Sequence, residues 1–167
     1  MNYDENAMKQ EEKIRVIVDV NIWISFLIGR RLQRIFDVLV KPQIVLIFSK
    51  ELLDELYAVT QRPKFKKYFT SSENVEELLN FLSTIGEMIN LPETLPERCR
   101  DSKDDYILEL ALISGAGFLV TGDKDLLVLQ TIGDCQIVTG MEFDAATASM
   151  NFPTNLNEAI VEYGIKK

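Results

Sequence analysis

Between residues 14 and 18 the chain reads Ile-Arg-Val-Ile-Val, apolar and β-branched at every position but Arg15. So short an apolar run predicts a strand buried on both faces, as in a parallel sheet. Asp19 and Asn21 follow where the run ends. The next pattern has a different period: Leu32, Ile35, Phe36, Leu39 and Val40 recur with charges between them, which predicts an amphipathic helix over 31–41 that Pro42 stops. Ile44–Phe48 predicts a second buried strand. Ser49 then stands as N-cap of a helix that turns Leu52, Leu53, Leu56 and Val59 inward. At about 100° per residue, Glu55 falls about 60° from Leu52, on the flank of the apolar stripe, while Asp54 faces the other way.

Thr70 and Glu73 have capping-box spacing ahead of Val75, Leu78, Leu79, Leu82 and Ile85, which predicts a helix stopped near Gly86. Residues 88–91 read as a short edge strand, and 92–100, with two prolines, as a loop. Asp101-Ser-Lys-Asp-Asp105 opens a helix over 106–113 that is apolar around most of its circumference, so it should pack on more than one side, with Gly115 as its stop. Phe118–Val120 predicts a strand with Thr121-Gly-Asp-Lys-Asp125 at its carboxyl end. Leu126, Leu127 and Leu129 begin a short helix, residues 136–139 form a last strand, and Thr139 with Glu142 repeats the capping-box spacing. The pattern fades from Ala145, and residues 1–12 are polar without a period. One domain is expected over 13–145, between an N-terminal extension (1–12) and a C-terminal one (146–167). Alternating strands and helices imply a parallel sheet covered by helices on both faces.

With 167 residues and 47% hydrophobic content the chain can bury one core and is too short to expect two. It has no signal-peptide pattern and no window near the ~20 apolar residues that span a bilayer. Cys99 and Cys135 lie outside any C-x-x-C, which points to a reducing compartment and a cytoplasmic protein with no membrane partner. The absence of histidine changes the picture most. It removes Ser-His-Asp and Cys-His nucleophiles, imidazole acid-base pairs and histidine-held zinc or iron together. The net charge of -8 argues against a nucleic-acid partner, yet residues 30–67 hold nine Lys or Arg against four acids. There Arg62, Lys64, Lys66 and Lys67, with Phe65, Tyr68 and Phe69, are candidates to track a phosphate backbone and stack bases. A solvated helix end explains the same charges about as well.

Carboxylates arrive at strand ends or adjacent helix turns in four places: Asp19, Glu55, the pair Asp104 and Asp105, and the pair Asp123 and Asp125. Ligand-handling groups of open α/β sheets collect at those ends. Such a cluster is tolerable in a cleft if some acids are protonated or a cation sits among them. All-oxygen ligands select Mg²⁺ or Mn²⁺, the equipment for metal-assisted phosphodiester hydrolysis. Asn21, Ser49 and Thr121 are suited to orient carboxylates rather than to bind metal. Each acid also has a plainer role as a turn, cap or surface residue, so the joint placement carries the reading.

Four blocks in this order, Val-Ile-Val-Asp-Val-Asn-Ile-Trp-Ile-Ser, Phe-Ser-Lys-Glu-Leu-Leu-Asp-Glu-Leu, Asp-Ser-Lys-Asp-Asp-Tyr-Ile-Leu-Glu-Leu-Ala and Leu-Val-Thr-Gly-Asp-Lys-Asp-Leu-Leu, resemble the PIN-domain nucleases over residues 14 to about 144. The subset described as toxin components of bacterial toxin–antitoxin pairs is most similar. The resemblance implies a three-layer α/β/α sandwich and a Mg²⁺- or Mn²⁺-dependent ribonuclease acting on single-stranded RNA. Asp19, Glu55, Asp105 and Asp123 would be its acidic quartet, supported by Asp125 and Asp104. It also implies a small antitoxin protein as partner, and homodimerisation is compatible with it. One departure is Val20, where the family usually has Thr.

An aspartyl-nucleophile phosphatase wants a second Asp where Asn21 stands, and a receiver domain wants an acid pair at the first strand end. The alternative from another class is a catalytically silent PIN-like module that binds RNA or a protein.

Overall fold

A computed structural model describes residues 13–29, 37–98 and 102–148. The N-terminal extension, residues 31–36 of the expected second helix, Arg30, Arg31 and Arg34, Cys99, Asp101 and the chain after Ala148 lie outside the described residues.

The first strand, β1 (Ile14–Val18), is followed at once by helix α1 (Val20–Leu27). The hydrophobic pattern did not announce α1, whose eight residues, VNIWISFL, are apolar nearly all round and show no stripe. Asp19 is its N-cap in extended geometry, and its carbonyl accepts from the Ile22 and Trp23 N–H groups. Residues 37–39 are helical, within the segment expected to be. Strand β2 (Ile44–Phe48) leads into α2 (Lys50–Thr60), where Ser49 Oγ accepts from the Leu52 N–H at 3.3 Å as a cap should. Helix α3 (Ser72–Ile85) starts one residue later than the Thr70 spacing predicts: Ser71 is its N-cap, without a side-chain capping bond. It stops at Gly86, where the backbone turns extended, and only glycine fits there because a Cβ would lie 2.3 Å from the Phe48 ring. Strand β3 (Glu87–Met88) is shorter than expected and begins one residue earlier.

Helix α4 (Asp105–Ser114) ends at Gly115, whose φ of +64° favours glycine. Strand β4 (Phe118–Val120), the short helix α5 (Lys124–Leu127) and an antiparallel pair, β5 (Thr131–Ile132) and β6 (Cys135–Val138), follow. Helix α6 (Gly140–Ala148) opens with a closed capping box: the Thr139 N–H donates to Glu142 Oε2 at 2.7 Å, and the Glu142 N–H to Thr139 Oγ1 at 3.2 Å. α6 thus extends past Ala145, where the pattern fades.

The sheet order is β3-β2-β1-β4-β6-β5, parallel except for β5. Parallel connections are right-handed as a rule, so crossovers that run in opposite directions along the sheet place helices on its two faces, giving an α/β/α sandwich. Val16, Ile17, Leu119 and Val120 are fully buried in the central strands, with Trp23 stacked on Phe48 and Phe118 edge-on to Phe143. From β1 the chain moves outward to β2 and β3, then returns to the other side of β1 as β4. The direction reverses between β1 and β4, and such a switch point opens a crevice beyond the strand ends. No helix among the described residues is long and apolar enough to cross a membrane.

Candidate active site

Register brings the first two site residues together. Val18 pairs with Val120, and the Asp19 N–H donates to the Val120 carbonyl at 2.9 Å, so Asp19 and Thr121 leave adjacent strands side by side. The Thr121 hydroxyl donates to Asp19 Oδ2 at 2.7 Å and accepts from the Asp123 N–H at 3.0 Å. One side chain therefore fixes a carboxylate of β1 and the turn beyond β4. Asp123 in turn caps α5 by accepting from the Asp125 N–H at 2.8 Å. Asp125 is exposed and Asp123 half-buried.

Asp19 is only 7% exposed. Burial, the largest effect, raises its pKa; the Thr121 hydroxyl lowers it, the charge of Glu55 raises it, a hydrogen bond from the Val20 N–H lowers it, and the charge of Asp123 raises it. Val20 is buried in α1, and the hydroxyl on Asp19 comes from Thr121.

Glu55 lies on the exposed flank of α2, as its helical angle suggests, and accepts a hydrogen bond from the Tyr106 hydroxyl. Tyr106 is nearly buried. Its pKa is pushed strongly upward, first by burial, then by the bond to Glu55 and the charges of Glu55, Asp19 and Asp104. The phenol therefore stays protonated as the donor to Glu55. Asp105 is 4% exposed, and its Oδ1 accepts from the Arg98 N–H at 2.8 Å. Asp104 is half-buried, and its charge is felt at Tyr106. Arg98 also pairs through its guanidinium with the mostly buried Glu109. This ties the proline loop to α4.

The remaining candidates separate. Ser49 serves as a helix cap, and the exposed Asn21 amide makes no hydrogen bond to a carboxylate among the described residues. Arg62, Lys64, Lys66 and Lys67 all stand exposed just beyond α2. Lys64 and Lys67 Nζ each lie 4.8 Å above the ring of the next residue, Phe65 and Tyr68. Of the three aromatics expected to stack bases, Phe65 and Phe69 pack against the core and only Tyr68 is exposed. An apolar face cannot be told from a free one by composition. Tyr106 and Arg98 escaped the sequence reading: the only signal for Tyr106 was one polar tip in an aliphatic helix, and Arg98 acts partly through its backbone.

The donor chemistry fits a hard divalent cation: Asp19, Glu55 and Asp123 make no ion pair among the described residues, and Asp19 feels the other two as repulsion. As the side chains stand, no three acids among the described residues converge on one point.

Three comparisons bear on this arrangement. A protein from Methanocaldococcus jannaschii named Uncharacterized protein MJ1680 is 33% identical over 120 residues, 71% of this chain and 76% of that one. The crystal structure of VapBC2 from Rickettsia felis bound to a DNA fragment from their promoter superposes with a TM-score of 0.50 at 17% identity, covering 74% of this chain and 97% of that chain, a likeness of fold. The sequence profile of the PIN domain matches residues 15–125. That match runs from within β1 into α5 and takes in every candidate acid of the site from Asp19 to Asp125, and the chain belongs to the PIN-domain family.

Proposed function

We propose that this PIN domain is a divalent-metal-dependent endoribonuclease that hydrolyses phosphodiester bonds of single-stranded RNA, in the cytoplasm, as the toxin of a toxin–antitoxin pair. The observation that carries the reading is the Thr121 bridge, which holds Asp19 and the Asp123 turn together at the switch point with Glu55 close enough to be felt electrostatically. Asp19, Asp105 and Asp123, with Asp104 and Asp125 beside them, are the residues that would hold Mg²⁺ or Mn²⁺. When bound, the ion supplies positive charge to the phosphate oxygens and makes water a better nucleophile.

The chain's own groups do the rest. Glu55 is exposed, with one oxygen engaged by Tyr106, and its other oxygen is the base that takes a proton from the attacking water. The departing oxygen is protonated from solvent. Arg62, Lys64, Lys66 and Lys67 follow the end of the helix that carries Glu55, and they are the basic groups that would hold the RNA backbone. The toxin assignment draws on the family and on the fold shared with a VapBC2 structure. It implies a small antitoxin protein covering the acidic crevice and is compatible with a homodimer.

A second reading, a catalytically silent PIN-like module that binds RNA or protein, draws on the acids' not converging. Cleavage of labelled single-stranded RNA decides between them. The nuclease reading expects cutting with Mn²⁺, none with EDTA and none by Asp19→Asn; an inert wild type, or equal cutting by the variant, favours the silent module. A pull-down from the native host that returns no small protein would remove the toxin assignment alone.

A further inference from the structure

We infer that Tyr106 is a positioning residue whose hydroxyl, donated to Glu55, holds that carboxylate at the acidic rim beside Asp19. The inference rests on the nuclease reading for its consequence in catalysis, though the bond itself does not. Glu55 projects from the exposed flank of α2, and nothing in the backbone of a helix fixes where a glutamate's flexible chain ends. Tyr106 supplies the fixed point. Its ring belongs to the hydrophobic core, it has only two side-chain torsions, and it reaches Glu55 across 51 residues of sequence from the first turn of α4. The plain alternative is a core tyrosine whose tip takes the nearest acceptor. The place of the tip argues against that: its acceptor is a carboxylate of the acidic rim, and the charges of Asp19 and Asp104 are felt there as well. A lysine or arginine there would tie Glu55 equally well and cancel charge the cluster needs for a cation. A neutral phenol orients one carboxylate and leaves the net charge of the cluster unchanged.

The test is a double-mutant cycle of Tyr106→Phe and Glu55→Gln, read in three ways on the full chain. In Mn²⁺-dependent cleavage of labelled single-stranded RNA, Tyr106→Phe should lower kcat about tenfold with KM unchanged, the size expected for one hydrogen bond to a charged group. In the Glu55→Gln background the same change should have no further effect. An unaltered kcat, or the same factor in both backgrounds, overturns the inference. Thermal unfolding of each variant separates these effects from loss of fold. The third readout is independent of activity: proton NMR should show a downfield hydroxyl resonance that disappears in Tyr106→Phe and moves upfield in Glu55→Gln. If the wild type cuts no RNA, the nuclease reading fails, and the resonance still decides whether the bond exists. A resonance indifferent to Glu55→Gln overturns the positioning role.

Discussion

The two sides of the crevice are built differently. On the sheet side, Asp19 and Thr121 are placed by strand register, buried, and locked by a hydroxyl that also grips the Asp123 turn. On the helix side, Glu55, Asp104 and Asp105 sit on or beside helices, and bonds that reach across the chain help to place them: Tyr106 to Glu55, and the Arg98 N–H to Asp105. A strand end delivers a carboxylate as a consequence of the backbone. A helix delivers only a direction, and a second contact must finish the placement.

That contrast is broken most directly at Asp19. Asp19→Asn should abolish cleavage, a loss on the order of a thousandfold for a group acting on reacting charge, while the protein still unfolds cooperatively. A cleavage assay beside a melting curve checks both halves. Retained activity would mean the sheet side is architecture only.

The helix side is sharpened by the Asp104 and Asp105 pair. Asn at 105 keeps an acceptor for the Arg98 N–H and removes the charge, so Asp105→Asn should cost cleavage about a hundredfold with little change in melting, against about tenfold for Asp104→Asn. The reverse order would transfer the role to Asp104, whose charge is felt at Tyr106. Relative cleavage rates under saturating Mn²⁺ measure it.

Thr121→Val, nearly the same shape, removes both bonds at the centre of the sheet side. We expect about tenfold slower cleavage and about 2 kcal/mol lower stability in urea, because two polar groups lose partners in a dry place. If stability falls and activity does not, the bridge is a structural staple.

What was legible follows the same division. The strand-end residues Asp19, Thr121 and Asp123 could be read because a parallel strand's end is visible as the end of a β-branched run. Asp104 and Asp105 could not be separated, since 100° per residue puts both near the boundary of a helix with apolar residues nearly all round. Helix α1 was hidden for that reason too. The capping-box spacing appears twice and closes once: Thr139 and Glu142 exchange bonds, whereas near Thr70 the neighbouring Ser71 takes the cap. Local motifs propose a start, and competing caps a residue away decide it. Arg98 and Tyr106 act across folds of the chain, which no local pattern encodes.

The smallest expected effect is a pH dependence that belongs to the sheet side alone. Asp19, raised above its ordinary value of 3.8 by burial, is more easily ionised in the unfolded chain than in the folded one. Between those two values the folded protein binds more protons, so stability falls as pH rises through the window and levels off above the raised value. The loss amounts to about 1.4 kcal/mol for each pH unit that separates the two. Asp19→Asn has nothing to ionise there and should lack this component, making the variant the more stable protein above the window. Urea unfolding at a series of pH values, without divalent ions, measures the two slopes. Adding Mn²⁺ should then stabilise the wild type more than the variant, since a cation relieves the repulsion that Glu55 and Asp123 impose on Asp19. Equal slopes for the two proteins would mean that the Thr121 hydroxyl and the Val20 N–H together offset the burial of Asp19, and the sheet side would then carry its charge without strain.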